Sequence, residues 1–256
     1  GSRRLYLRRA WTAEQNIRNN IAQRLELPCD IPTDLQQRLD ELFTPSTEGI
    51  PDMQRLACEV AAQNRITLIT GGPGTGKTTT VVKLLSLLVQ TAKRELQIHL
   101  AAPTGKAAAR LTESISKALN KMPANKRPHI PSQAQTLHRL LQVNSKTIHQ
   151  LATDLVVIDE ASMIDLEMMA RLLQVVPLTA YLIFLGDKDQ LASVEAGAVL
   201  SQLCTGTLLR RQTVTLHQSH RFDSKSEIGQ WARAVNTVAL NKKSALKTLW
   251  NKAPDW

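Results

Sequence analysis

The sequence predicts an α/β fold: a parallel sheet with helices on both faces, preceded by a small helical segment. Three observations carry this. Short β-branched and apolar runs recur along the chain and are too continuous for strands with one wet face. Segments with helical spacing separate them. Polar clusters fall at the carboxyl ends of the runs, where sheets of this kind hold ligands.

Taken in order, residues 3–9 alternate apolar and basic side chains as an edge strand does, and Thr12 is placed to cap a helix ending at residue 25. Residues 28–51 hold four prolines and one helical stretch, 34–43. This composition suggests a domain tail followed by a linker, residues 1–49. The pattern then becomes regular: helix 52–63, strand 66–70, a glycine loop, helix 77–91, strand 97–101 and helix 105–119. Residues 122–132, rich in Pro and Lys, read as loop, and 133–141 as helix. Strand 154–158, helix 166–175, strand 180–185, helix 195–203 and strand 213–216 complete the series. No internal repeat or low-complexity tract interrupts it.

Composition narrows the partners. The 256 residues carry a net charge of +10, which suits a polyanion, although a basic soluble protein satisfies the same number. Aromatic residues make up 4%, so the core rests on Leu, Ile, Val and Ala, and base stacking has few platforms. Cys29, Cys58 and Cys204 form no CxxC pair, which argues against an oxidised scaffold or a zinc ribbon and fits a reducing cytoplasm. No apolar run is long enough to span a bilayer, so no membrane association is expected. The start at Gly1-Ser2 rather than Met hints at a piece of a longer protein.

The most specific signal is Gly71-Gly72-Pro73-Gly74-Thr75-Gly76-Lys77-Thr78, which satisfies G-x-x-x-x-G-K-[ST] between a strand and a helix. Such a P-loop turns backbone amides toward phosphates and adds a helix N-terminus behind them. The expected ligand is ATP with Mg²⁺, contacted by Gly72, Pro73, Gly74, Thr75, Gly76, Lys77, Thr78 and Thr79. Lys77 is placed to reach the β- and γ-phosphates, and the Thr78 hydroxyl to ligate Mg²⁺. In Leu155-Val156-Val157-Ile158-Asp159-Glu160-Ala161-Ser162 a buried strand delivers two carboxylates. Asp159 is the expected Mg²⁺ holder and Glu160 the group that polarises the attacking water.

Further motifs follow the remaining strands. In Leu185-Gly186-Asp187-Lys188-Asp189-Gln190, Gln190 can bond both a γ-phosphate and a neighbouring loop; the plainer alternative is a capping Asp187 with a solvated Gln190. Thr104 and Gly105, in Ala101-Ala102-Pro103-Thr104-Gly105-Lys106, sit at a helix N-terminus suited to phosphate, or simply cap it.

Gly-Asp-x-x-Gln at 186–190 resembles motif III of superfamily 1 helicases, and 101–108 resembles their DNA-contacting motif Ia. Thr136 and His138, in Thr136-Leu137-His138-Arg139-Leu140, match the next DNA-contacting motif, although a lone His is often structural. His217-Gln218-Ser219-His220-Arg221-Phe222 resembles motif IV, which makes Arg221 an arginine finger by resemblance. Gln54, ahead of the P-loop strand, falls where these helicases place an adenine-reading glutamine.

The runs GGPGTGKTTT, LAAPTGKAAARLTES, VVIDEASMID and FLGDKDQLASVEAGAVL together resemble the RecD family, the alpha subunits of exodeoxyribonuclease V. The resemblance implies a RecA-like P-loop NTPase domain at 50–222 and a 5′→3′ DNA helicase motor acting in double-strand-break repair and recombination. Its implied partners are single-stranded and duplex-end DNA, a RecB-like nuclease/helicase subunit and a RecC-like Chi-reading subunit. Superfamily 1 helicases need a second RecA-like domain, and residues 223–256 suffice only for its beginning. Rival expectations are another superfamily 1 protein (an RNA helicase or conjugative relaxase) and a non-enzymatic ATP-binding scaffold. Glu160, Gln190 and Arg221 together speak against the scaffold, since a binder needs neither base nor sensor nor finger.

Overall fold

The structure, a computed structural model, describes residues 7–43, 52–120, 130–131, 133–143, 149–190 and 199–216. Six strands form one sheet: β1 Ile66–Gly71, β2 Ile98–Ala102, β3 Gln135–Thr136, β4 Leu155–Ile158, β5 Tyr181–Gly186 and β6 Thr213–Leu216. Their order is β3-β2-β4-β5-β1-β6, and every pairing is parallel. The helices are α1 Arg8–Glu26, α2 Leu35–Leu42, α3 Met53–Gln63, α4 Lys77–Thr91, α5 Gly105–Asn120, α6 Leu137–Leu140, α7 Leu166–Val175 and α8 Val199–Thr205.

The continuous apolar runs are sorted by the two-residue period of a strand. In β4, Leu155 and Val157 enter a core shared with α2, α3, α4 and α5, while Val156 and Ile158 enter one shared with α1, α6, α7 and α8. In β5, Ile183 and Leu185 take the first side, and Leu182 and Phe184 the second. Each such burial stabilises the fold by roughly 1.5–3 kcal/mol relative to exposure, so both faces are fully committed. Lys83, the one charge in the apolar stretch of α4, lies over the Phe43 ring, 3.9 Å from its centroid.

Helix starts follow local chemistry. The Asp52 carboxylate accepts from the amides of Gln54 (2.8 Å) and Arg55 (3.2 Å), and Asp165 accepts from Met168 at 2.7 Å. The long helix α1 packs along α7 through Ile17 and Ile21. Its Arg24, 1% exposed, donates to the carbonyls of Val176 (2.7 Å), Ala180 (3.0 Å) and Leu178 (3.4 Å), and to Asn20 Oδ1 at 2.8 Å. Val176 is the C-cap of α7, and Leu178 and Ala180 lie in the connection from α7 to β5, so the guanidinium binds the main chain of that connection.

Arg8 and Arg9 are helical rather than part of an edge strand; residues 3–6 lie outside the described residues. Thr12 is not a cap, because α1 begins four residues earlier and the Thr12 hydroxyl donates to the Arg8 carbonyl at 2.9 Å. Residues 133–141 are not one helix: Gln135 and Thr136 pair with Ala101 and Ala102 at the sheet edge, and only Leu137–Leu140 is helical. The helix expected at 195–203 is described from Val199 and runs to Thr205; residues 195–198 lie outside the described residues. The loop expected at 122–132 also falls almost wholly outside them.

Candidate nucleotide site

The order β4-β5-β1 sets the ends of three strands side by side, each followed by one of the singled-out polar segments. After β1 the chain makes the glycine loop. Gly74 (φ 81°) and Gly76 (φ 85°) occupy the left-handed region that side chains disfavour. Gly71 is required by space, since a Cβ there would stand 2.7 Å from the Leu216 carbonyl oxygen and 2.8 Å from Thr75 Oγ1. The Thr75 hydroxyl donates to the Gly72 carbonyl at 2.9 Å and closes the loop. Helix α4 starts from Gly76, and no side-chain cap bonds its first amides. The Lys77 ammonium donates to the carbonyls of Gly71 and of Gly72 (3.0 Å), so it lies back across the loop.

After β4 come the two carboxylates. Burial pushes the Asp159 carboxyl above its usual range, and the neighbouring Glu160 charge adds to this; the Glu160 amide bonded to it at 2.9 Å and the Lys77 ammonium pull the other way. Lys77 and Asp159 are thus electrostatic neighbours although 82 positions separate them (159 − 77). Glu160 has φ 52° and ψ 39°, a left-handed conformation that costs a non-glycine residue roughly 1–3 kcal/mol. The 3₁₀ turn Ala161–Met163 begins there.

After β5, the Gln190 Oε1 accepts from the Ser162 hydroxyl at 2.9 Å. Asp187 does cap its own turn, accepting from the Asp189 amide at 3.0 Å, but Gln190 is bonded rather than merely solvated. The Lys188 amide donates to the buried Thr70 hydroxyl at 3.0 Å, tying this loop to the base of the P-loop. Neither Ser162 nor Thr70 carries a motif signal in the sequence. Serine and threonine are common in strands and turns, and their partners lie 28 and 118 positions away.

The remaining candidates divide. Gln54 sits in the first turn of α3; one turn on, Cys58 meets the Thr80 carbonyl of α4, which puts this end of α3 beside the start of α4. Thr104, Gly105, Thr136 and His138 lie apart from the P-loop, at the ends of β2 and β3 across β4 and β5. Thr104 is exposed and accepts from the Ala107 amide at 3.2 Å; Thr136 accepts from Arg139 at 3.3 Å. Both therefore cap helices, and nothing stands within 4 Å of a Cβ placed on Gly105. His138 is exposed. Arg221 lies outside the described residues. Among the described residues no helix is long and apolar enough to cross a membrane, and no three His, Cys, Asp or Glu side chains gather as a metal site.

A parallel sheet with a strand–glycine loop–helix cradle and acidic residues on a nearby strand defines a RecA-like P-loop domain of the α/β class. Residues 54–196 match the family model described as AAA domain, and the chain belongs to that family. It is 43% identical, over 98% of its length, to the RecBCD enzyme subunit RecD of Mycolicibacterium smegmatis, of which it covers 46%. Against the RecD subunit of Haemophilus influenzae the figures are 42% identity over 84% of this chain and 35% of the relative. The ATP-dependent RecD2 DNA helicase of Deinococcus radiodurans is 31% identical over 92% of this chain and 30% of its own length. The chain thus spans less than half the length of these relatives. Among solved structures, Bacteroides sp Pif1 in complex with ADP-AlF4 matches with a TM-score of 0.45 and 18% identity, over 77% of this chain and 48% of that one.

Proposed function

We propose that the chain is the nucleotide-hydrolysing part of a 5′→3′ DNA helicase motor, working as a RecD-type subunit with RecB-like and RecC-like partners in double-strand-break repair. In this reading residues 50–222 are the first motor domain, 1–49 the end of an N-terminal domain with its linker, and 223–256 the opening of a second motor domain. The observation that carries it is that Lys77, at the head of α4, and Asp159, at the end of β4, feel each other's charge. Two segments distant in sequence thus bring a cation and a half-buried carboxylate into one neighbourhood. Sequence similarity to RecD subunits supports the rest.

The residues fit Mg-ATP. The left-handed glycines leave space for phosphate, the uncapped start of α4 supplies amides, and Asp159 is a carboxyl whose raised affinity for protons a cation would offset. Thr78 and Asp159 would hold Mg²⁺, which when bound neutralises charge on the β- and γ-oxygens. Lys77 leaves the Gly71 and Gly72 carbonyls to bind phosphate. Glu160 orients water toward the γ-phosphorus and takes up its proton. Gln190 reads the γ-phosphate, Arg221 offsets charge on the transferring group, and Gln54 contacts adenine. Single-stranded DNA crosses Thr104, Gly105, Thr136 and His138.

Calorimetry with Mg-ATP and single-strand-stimulated hydrolysis test this. Saturable uptake by the parent is expected, with binding and hydrolysis falling about a hundredfold or more in Lys77→Gln. The isolated chain should hydrolyse feebly and separate no strands, because translocation needs two domains closing on nucleotide. In the assembled complex, Lys77→Gln should stop movement from 5′ ends, and stimulation by RNA instead of DNA would overturn the substrate. Absence of nucleotide uptake by the parent chain would sink the whole reading.

A further inference from the structure

We infer that Ser162 is a positioning residue that sets the orientation of the Gln190 amide for the γ-phosphate. The inference rests on the nucleotide-site reading above and assigns a residue that no motif singled out for this task.

The chemistry turns on the two ends of a glutamine amide. One end, Oε1, only accepts hydrogen bonds; the other, Nε2, only donates. A phosphate oxygen only accepts, so Gln190 can serve it solely through Nε2. Side-chain rotation by half a turn about the terminal bond exchanges the two ends at almost no intrinsic cost. The Ser162 hydroxyl donates to Oε1 at 2.9 Å; that bond anchors the side chain by its acceptor end and, in this orientation, leaves Nε2 as the end available to phosphate.

Three features hold Ser162 where it can do this. It is 9% exposed, so water competes poorly for its hydroxyl. It belongs to the Ala161–Met163 turn, whose first hydrogen bond runs from the Met163 amide to the Glu160 carbonyl at 3.1 Å. The turn rests against the end of β5 because Gly186 has no side chain: a Cβ there would lie 3.2 Å from the Ser162 amide nitrogen and 3.5 Å from that of Ala161. Gln190 itself is exposed, on a turn closed by its amide on the Asp187 carbonyl at 3.3 Å. A side chain on an exposed turn gains its preferred orientation from a fixed neighbour, and Ser162 is that neighbour. The same short turn carries Glu160, so water activation and γ-phosphate sensing are set by adjacent positions of one backbone element.

The test is a set of affinities for ATP and ADP in the presence of Mg²⁺, measured on the chain for the parent, Ser162→Ala, Ser162→Thr, Gln190→Ala and the double variant Ser162→Ala/Gln190→Ala. Only ATP carries the phosphate that Gln190 reads, so ADP affinity controls for folding and for the rest of the cradle. Loss of one hydrogen bond predicts that Ser162→Ala lowers the preference for ATP over ADP about fivefold with ADP affinity unchanged. Ser162→Thr keeps the hydroxyl and should restore the preference. In the Gln190→Ala background the Ser162→Ala change should add nothing. A parent-like ATP preference in Ser162→Ala, an equal loss for both nucleotides, or additive effects in the double variant would each overturn the inference while leaving nucleotide binding intact. A parent that bound neither nucleotide would instead remove the site reading and this inference with it.

Discussion

Arg24 Nη2 donates to the Val176 carbonyl at 2.7 Å, from a side chain that is 1% exposed and has no carboxylate among its hydrogen-bond partners. The guanidinium is held by three backbone carbonyls and one amide oxygen. Burial, and then the Arg65 charge, lower its pKa to about 10. The bonds, not ion pairing, make this cation tolerable. Arg24→Met keeps most of the volume yet strands the carbonyls of Val176 and Ala180. It should destabilise the chain by roughly 2–4 kcal/mol in urea titration. Because the lowered pKa lies near 10, the effect should be flat across neutral pH; a marked slope between about pH 6 and 8 would contradict the assignment.

The Asp159 carboxyl gives a second expectation. Its pKa is raised in the folded state, chiefly by burial, so the folded chain holds this proton more tightly than the unfolded one. Its contribution to stability is therefore greatest below the unfolded carboxyl value and is lost as pH rises through the folded value. A divalent cation reverses the preference, because it binds the ionised form only. Mg²⁺ uptake with nucleotide should weaken as pH falls toward the raised value, and that part of the pH dependence should vanish in Asp159→Asn. Equal pH profiles for parent and variant would refute the role.

Gly186→Ala should separate fold from activity. The new Cβ would meet Leu200 Cδ2 at 2.5 Å, which a rotamer change relieves, and the Ser162 amide at 3.2 Å, which only a shift of the 161–163 turn relieves. A stability loss of about 1–3 kcal/mol is expected, with a larger fall in kcat than in nucleotide affinity because Glu160 opens that turn. Full turnover in a folded Gly186→Ala would show that the turn does not need this close seat.

Thr104 accepts from the Ala107 amide, so its loss has a structural cost whatever else it does. Thr104→Asp retains the cap and adds charge opposed to phosphate, whereas Thr104→Ala loses about 1 kcal/mol of helix stability. If DNA crosses this end of the sheet, Thr104→Asp should keep the parent's melting temperature but bind single strands several-fold more weakly at low salt. Unchanged DNA affinity would leave Thr104 as a cap alone.

The sheet was legible in the sequence because strands such as Leu155–Ile158 are buried on both sides, and that burial writes itself as unbroken apolar runs. The start of helix α4 was legible, fixed by Gly76 before it and the P-loop that precedes it. Residues 133–141 misled because Leu137, Leu140 and Leu141 keep helical spacing, while Gln135 and Thr136 owe their extended form to β2 rather than to their own preferences. Thr12 misled in the same way, since a serine-like hydroxyl bonds equally well to a carbonyl one turn back. The P-loop and the Asp159-Glu160 pair could be read as motifs, but Ser162 holding Gln190 could not. Nor does anything local distinguish Arg24 from the solvent-facing basic residues around it.

Strand β4 pairs with β5 on one side and with β2 on the other, and the Asp159 amide donates to the Ala101 carbonyl at 2.9 Å. Ala101 stands three positions before Thr104. The residue expected to grip the metal is thus stitched by its own main chain to the strand leading into the exposed edge. Any recoil of that peptide beyond the slack of one hydrogen bond must tug the neighbouring strand. Asp159 therefore lies one strand spacing from the strand that leads to Thr104, while the glycine loop after β1 lies three away.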